Sequence, residues 1–290
     1  MKQVAVVSGK GGTGKTTLTA SLSFLMRDKV VADCDVDAPN LHLILKPEIR
    51  QRFDYWGGKK AEIHQEKCVQ CGVCKEVCRF DAVDVEDGVY KINEYACEGC
   101  KACVIACPTE AIELVQHLSG EYYSSETAQG KMAHALLSVG EETSGGLVGE
   151  VRKKAIEIAE AEDHDIVIDG APGIGCPPIS SVTGVDYVVI VTEPTMSGIH
   201  DMQRIIQTIQ SFKLRMGVVV NKYDLNPAKA EEIERYCRDN GIDFLGNIPF
   251  DEKIEEATRM AKPIVSYSDS KAAKAIALIW EALKEKVGLS

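Results

Sequence analysis

Eight of the chain's eleven cysteines fall between Cys68 and Cys107, in two runs of identical spacing. Cys68-x2-Cys71-x2-Cys74-x3-Cys78 is followed by Cys97-x2-Cys100-x2-Cys103-x3-Cys107-Pro108. Thiolates are soft metal ligands, and cysteines this regular read as ligands rather than disulfides in a reducing compartment. An x2-x2-x3 run suits an iron–sulfur cubane, because short spacings let backbone N–H groups wrap the cluster and hydrogen-bond its sulfides. Zinc is the alternative for paired C-x2-C motifs, but this run groups its ligands wrongly for that ion.

A second constellation opens the chain. Gly9-Lys10-Gly11-Gly12-Thr13-Gly14-Lys15-Thr16 fits G-x-x-x-x-G-K-[ST]. Glycines let the backbone amides curl around phosphates, and a following helix adds partial positive charge at its N-terminus. Lys15 is placed to reach the β- and γ-phosphates, and the Thr16 hydroxyl to ligate Mg²⁺.

Extended to Thr17, the segment GKGGTGKTT resembles the deviant Walker A motif of the MinD/ParA/Mrp ATPases and the nitrogenase iron protein. The resemblance implies that Lys10 crosses a dimer interface to touch the partner's nucleotide, so Lys10, Lys15 and Asp35 become the candidate catalytic residues. Asp33-Cys34-Asp35-Val36-Asp37-Ala38-Pro39-Asn40-Leu41 resembles that family's switch I. It implies Asp33 near Mg²⁺ and Asp35 orienting the attacking water, a task a carboxylate can perform; Asp37 has no assigned role. Asp169-Gly170-Ala171-Pro172-Gly173 resembles Walker B and switch II. Asp169 would then hold Mg²⁺ through water and Gly173 would sense the γ-phosphate.

The base site is read from two segments. Asn221-Lys222-Tyr223-Asp224 has the form of the guanine-reading motif of GTPases, yet MinD-like ATPases carry a similar Asn that hydrogen-bonds adenine. Their second adenine loop resembles Asn247-Ile248-Pro249-Phe250-Asp251, which brings Pro249 and Asp251 to the base. ATP and GTP both stay open here, with the Lys10-containing loop favouring ATP.

The cysteine runs resemble the bacterial two-cluster ferredoxins, in which the fourth Cys of each run ligates the other cluster. One [4Fe–4S] cluster is then implied on Cys68, Cys71, Cys74 and Cys107, and a second on Cys97, Cys100, Cys103 and Cys78. Arg79 stands where Pro108 stands in the second run, which removes no ligand. Of the other cysteines, Cys34 and Cys237 read as structural. Cys176, just after switch II, is loosely similar to the switch-II cysteine of the nitrogenase iron protein, and an ordinary thiol is the simpler reading.

The elements around these motifs alternate. Strand-like segments at 3–8, 30–33, 166–168, 187–191 and 217–220 are separated by helical patterns at 15–26, 152–161, 198–212, 227–240 and 252–260. Such a rhythm predicts an α/β fold, a mostly parallel sheet with helices on both faces, and the resemblance implies that it is of the P-loop NTPase type. It breaks at the cysteines, so an insertion is expected over 61–115, reached through Tyr55-Trp56-Gly57-Gly58, and the resemblance to ferredoxins implies that it is a small α+β ferredoxin-like domain. The ATPase domain occupies 1–60 and 116–290, with a β-hairpin expected over 116–140. The last helical pattern, 271–287, puts Ile276, Ile279, Trp280, Leu283 and Val287 on one face; packing on the sheet is preferred to membrane binding because its polar face is not strongly basic.

The 290 residues carry a net charge of -11, which argues against a nucleic-acid binder and a polybasic membrane anchor. No secretory signal is visible and no apolar run approaches the length of a membrane span; the regular cysteines, read as metal ligands rather than disulfides, point to a reducing cytoplasm. The cofactors expected are ATP, Mg²⁺ and two [4Fe–4S] clusters. The expected partners are a second copy in an ATP-dependent homodimer and an unidentified redox or iron–sulfur protein. Three functions stay open: nucleotide-gated electron transfer, an Mrp-like iron–sulfur carrier or scaffold, and a MinD/ParA-like positioning ATPase with structural clusters.

Overall fold

The computed structural model describes residues 1–141 and 145–289. In chain order its elements begin with β1 (Gln3–Ser8), α1 (Lys15–Leu25), β2 (Lys29–Asp33), α2 (Leu41–Leu45) and β3 (Glu48–Ile63). Next come α3 (Val73–Val77), β4 (Val83–Glu86), β5 (Val89–Ile92), α4 (Ala102–Ala106), β6 (Ile112–Thr127) and β7 (Gly130–Leu137). The chain continues with α5 (Gly145–Glu162), β8 (Asp165–Pro172), α6 (Cys176–Val182), β9 (Tyr187–Thr192), α7 (Met196–Ser211) and β10 (Arg215–Asn221). It ends with α8 (Pro227–Asp239), β11 (Asp243–Ile248), α9 (Lys253–Arg259) and α10 (Lys271–Val287). Two compact units result: Met1–Phe53 with Tyr122–Leu136 and Thr143–Ser290, and Asp54–Glu121 with Leu137–Glu142.

Among the described residues, nine strands form one sheet in the order β11-β10-β9-β1-β8-β2-β7-β6-β3. The pairs from β11 through β7 are parallel. The central strands β1, β2 and β9 are apolar, β-branched and almost wholly buried, as strands covered on both faces must be. In register, Asp33 of β2 lies beside Asp169 of β8. Parallel pairing therefore delivers both carboxylates to one place at the carboxyl ends of the strands, beside the loop that leaves β1. Ligands bind at that edge in open α/β sheets.

The α10 stripe Ile276, Ile279, Trp280, Leu283 and Val287 is buried in the main core, and α10 packs on β11 and α1. Ser270 caps its N-terminus by accepting from the Ala273 N–H at 3.0 Å. No helix among the described residues is long and apolar enough to cross a membrane.

The segment Tyr55-Trp56-Gly57-Gly58, expected as a linker, lies inside the sixteen-residue strand β3. The helix expected from Arg152 begins at Gly145. Strand β11 and helix α6 were not anticipated. Residues 112–137 do form two strands, β6 and β7, side by side in the sheet.

The cysteine-rich unit has its own small core of Ala61, Val83 and Ile112 around Cys74 and Cys103. It repeats internally with a spacing of 29 residues: α3 starts at Val73 and α4 at Ala102, as Cys68 is matched by Cys97. The backbone follows the same repeat, with positive φ at Gln70 and Gly99, at Gly72 and Lys101, and at Asp81 and Glu110. A Cβ at Gly99 would sit 2.0 Å from the Lys59 carbonyl oxygen, so only glycine fits there.

Candidate functional site

The phosphate loop runs from β1 into α1. Gly12 and Gly14 hold φ of 78° and 94°, conformations open to glycine at little cost. Helix α1 starts at Lys15 with no acidic residue in its first turn, so its free N–H groups face no competing carboxylate there.

Lys15, the first residue of α1, is 5% exposed. Its Nζ donates to Asp169 Oδ1 at 3.1 Å and to Asp35 Oδ2 at 3.2 Å. The Thr16 hydroxyl donates to Asp169 Oδ2 at 2.7 Å, and the Thr19 hydroxyl to Asp169 Oδ1 at 3.0 Å. Asp33 is fully buried; its Oδ1 accepts from the Asp35 N–H at 3.2 Å, and its Oδ2 has no partner among the described residues. The Thr13 hydroxyl is likewise buried and unpartnered.

The electrostatics of this cage are unbalanced. Three carboxylates, Asp33, Asp35 and Asp169, surround one ammonium. Burial works against the Lys15 charge, but Asp169, Asp35 and Asp33 outweigh it and hold its pKa above the ordinary value. Burial, with the charge of Asp169 next, pushes Asp33 well up, and burial also raises Asp35 against the pull of Lys15. The orphaned Asp33 oxygen, with Asp169 in register beside it and the Thr16 hydroxyl on Asp169, offers the oxygen donors that a hard divalent cation takes.

Gly173 and Lys10 make contacts of their own. Gly173, at φ 95°, donates its N–H to the Ser8 carbonyl at 2.8 Å. Lys10 Nζ lies 3.4 Å from Glu193 Oε2 and 3.4 Å from Ser197 Oγ. Glu193 also accepts from Lys222 Nζ at 2.8 Å. Burial raises the Glu193 carboxyl, yet the two lysines outweigh this and hold it below its usual range.

The residues assigned to the base are engaged with the protein. Asn221 Nδ2 donates to the Thr13 carbonyl at 2.8 Å. Asp224 Oδ1 accepts the Phe250 N–H, next to Pro249, at 2.7 Å. The Asp251 carboxylate accepts from the Ser270 hydroxyl at 2.7 Å, the Ala272 N–H at 3.2 Å and the Lys253 N–H at 3.0 Å, which ties α9 to α10. Thr19 and Glu193 were missed from the sequence. Thr19 was findable, since it lies one helical turn after Lys15 and on the same face as Thr16; Glu193 carries no local signal.

In the cysteine-rich unit, one cavity is lined by Cys68, Cys71, Cys74 and Cys107. Another is lined by Cys97, Cys100, Cys103 and Cys78. Backbone amides aim at three of these sulfurs: Ala61 N–H at Cys97 Sγ (3.4 Å), Ala82 N–H at Cys78 Sγ (3.4 Å) and Ala111 N–H at Cys107 Sγ (3.3 Å). Burial raises the Cys107 thiol, but the amides of Ala111 and Thr109 outweigh it and lower its pKa. Burial raises Cys74 and Cys103. Cys71 and Cys100 are exposed. No three His, Cys, Asp or Glu side chains among the described residues close on a point that would hold a single metal ion. Outside the cavities, Cys34 and Cys237 are buried and Cys176 is exposed.

Comparison with known proteins places these features. The chain is 34% identical over 286 residues to an uncharacterized protein of Methanocaldococcus jannaschii, covering 98% of this chain and 96% of the relative. It is 26% identical over 306 residues to a protein of Pyrococcus abyssi named iron–sulfur cluster carrier protein, covering 98% and 86%. In fold it is similar to the cell division ATPase MinD of Pyrococcus furiosus, with a TM-score of 0.57, 21% identity and 99% of both chains covered. Residues 4–264 match the CobQ/CobB/MinD/ParA nucleotide-binding domain. The chain belongs to that family of P-loop nucleotide-binding proteins.

Proposed function

We propose that this chain hydrolyses Mg²⁺-ATP in a nucleotide-gated homodimer and couples that cycle to electron transfer through two [4Fe–4S] clusters. The observation that carries the reading is the division of the eight cysteines into two cavities of four. Each set combines three cysteines of one run with the last cysteine of the other, as the resemblance to two-cluster ferredoxins implies. Four cysteines line each cavity, the full ligand complement of one cubane.

At the nucleotide, Lys15 and the N–H groups of the loop bind the phosphates. Thr16, Asp33 and Asp169 hold Mg²⁺, which when bound neutralises charge on the phosphates. Asp35 orients the water and Lys10 reaches the partner's nucleotide. Gly173 leaves the Ser8 carbonyl to sense the γ-phosphate. ATP is favoured over GTP because Asp224, the residue that would read guanine, already accepts the Phe250 N–H.

At the clusters, the eight cysteines are the ligands, and each cluster when bound exchanges one electron. The amides of Ala61, Ala82 and Ala111 hydrogen-bond ligand sulfurs, which sets potential. The exposed Cys71 and Cys100 mark where a redox partner would approach. Iron and acid-labile sulfide analysis of anaerobically purified protein tests the reading: about eight irons per chain are expected, and stoichiometric zinc without sulfide would end it.

A carrier role is the second reading, favoured by the similarity to the Pyrococcus abyssi protein. The two readings part on cluster retention. Iron label that stays bound through ATP turnover in the presence of an apo-acceptor supports electron transfer, and label that leaves supports delivery.

A further inference from the structure

We infer that residues 137–141 form a strap on the ligand loop of one cluster, and that the cluster of Cys78, Cys97, Cys100 and Cys103 is the one whose potential answers to nucleotide. This rests on the coupled reading above. The cysteine runs repeat with a spacing of 29 residues, so the turn before Cys97 has its counterpart before Cys68. Among the described residues the strap meets the later of these two turns.

Lys60 joins the strap to that turn. Its Nζ donates to the Glu94 carbonyl at 2.6 Å and pairs with the Glu141 carboxylate. His117 Nε2 lies 3.1 Å from the same carboxylate. The Tyr95 ring packs on Gly140, where φ is 84° and a Cβ would lie 2.8 Å from its Cδ1. The Ser138 N–H donates to the Ser119 carbonyl at 3.0 Å, and the Glu141 N–H to the Ser138 carbonyl at 3.2 Å, so the strap is itself a fixed turn. The Lys60 and Glu141 side chains are 13% and 12% exposed, and removing either leaves the other poorly solvated. The turn before Cys68 takes its bonds from nearer the cysteines: the Thr109 hydroxyl donates to the Lys67 carbonyl at 2.9 Å, and Gln65 Nε2 to the Tyr90 carbonyl at 2.8 Å.

The next residue carries this grip to a ligand. Ala61 gives its N–H to Cys97 Sγ at 3.4 Å, while the Lys59 carbonyl oxygen lies 2.0 Å from where a Cβ on Gly99 would be. Three consecutive residues of β3 therefore meet Glu94, Cys97 and Gly99. Hydrogen bonds to sulfur and nearby charge set the potential of such clusters. In sequence the strap follows β7, which pairs with β2, the strand that ends at Asp33. It precedes α5, whose Gly145 packs against the Cys176 carbonyl and Ser180 hydroxyl of α6, the helix after Gly173. A switch movement at Asp33 or Gly173 thus has a short covalent route to the strap.

The test is a redox titration, followed by electron paramagnetic resonance, of the full-length, anaerobically prepared protein with and without a non-hydrolysable ATP analogue. Cys71→Ala, which spares the cluster on Cys97, assigns the two midpoint potentials. In wild type the analogue should shift the potential of the Cys97 cluster and leave that of the Cys68 cluster in place. Glu141→Ala should abolish the shift. Its analogue-free potential at the Cys97 cluster should become more negative, because a slackened Lys60 no longer fixes the Ala61 N–H on Cys97. Loss of the Glu141 charge alone would move that potential the other way, so a positive move, or a retained analogue response, would overturn the strap. Should Glu141→Ala lose iron, Tyr95→Ala carries the comparison, since Tyr95 is 66% exposed and touches the strap without charge; an undiminished analogue response there would overturn the inference. A wild type in which the Cys68 cluster responds as much or more would sink the strap and leave the coupling standing. Two unmoved potentials would overturn the coupled reading itself.

Discussion

Lys15 Nζ sits 3.2 Å from Asp35 Oδ2, so the cation that reaches phosphate is paired with the carboxylate assigned to the water. Lys15 also donates to Asp169 at 3.1 Å, a partner that an Asp35 substitution does not touch. Asp35→Asn should therefore leave ATP affinity equal or tighter. Hydrolysis should fall about 100-fold or more, the scale of a lost general base. Phosphate release and equilibrium binding check this together; unchanged turnover with weakened binding would move Asp35 out of the catalytic role.

The cavity pairing is testable by double substitution. Cys68→Ala and Cys107→Ala line one cavity, so the double variant should keep about four irons, no fewer than either single variant. Cys68→Ala with Cys78→Ala touches both cavities and should keep none. Sequential pairing, with Cys78 joining Cys68, Cys71 and Cys74, would give the reverse result. Iron content is the readout, and Mg²⁺-ATP binding should stay unchanged in each variant.

The phosphate loop, the two cysteine runs and the sheet rhythm were legible because each is a local pattern of spacing or periodicity. Helix α10 was read to its observed ends because Ser270 and Gly288 punctuate a clean apolar stripe. Strand β3 was not legible. Most of its residues are exposed and Gly57-Gly58 interrupts it, so no alternation marks it; its strand state comes from pairing with β6. Strand β11 was hidden by Gly246 and Asn247. The bond from Asn221 to Thr13 spans the length of the domain in sequence, and no local signal can announce it.

His134 supplies a pH dependence in the nucleotide-binding unit. Its Nε2 lies 2.8 Å from Ser125 Oγ in a buried pair. Burial, and then the charge of His42, lowers its pKa from 6.5 to about 4. The unfolded chain takes up a proton that the folded one refuses, so this contribution is complete above the unfolded value. It is lost as pH falls through that value, and levels off below about 4. Acidification from pH about 7.5 to about 5 should cost about 2 kcal/mol through this residue. Urea unfolding at both pH values should show a smaller loss for His134→Gln than for wild type; equal losses would place the titrating group elsewhere.

Lys10 is held 3.4 Å from Glu193 within its own chain. Its assigned task lies across a dimer interface, so Lys10→Ala should abolish dimerisation driven by a non-hydrolysable ATP analogue. Nucleotide binding should weaken only several-fold, because Lys15 and the loop amides stay. Light scattering on the sized protein reads the first effect and calorimetry the second. A Lys10→Ala chain that still dimerises with the analogue would remove the lysine from the interface.

The coupling of nucleotide to clusters is the central claim, and a ligand shifts an equilibrium only through differential affinity for its states. Linkage makes the claim reciprocal: a nucleotide that moves a cluster's midpoint potential must bind oxidised and reduced protein with different affinity, about tenfold for ~59 mV in a one-electron couple. The direct measurement is ATP-analogue affinity on oxidised and on dithionite-reduced protein, beside the midpoint potentials with and without the analogue. The account predicts a difference in affinity and a matching shift in potential. Identical affinities and unmoved potentials would leave two independent modules on one chain and contradict it.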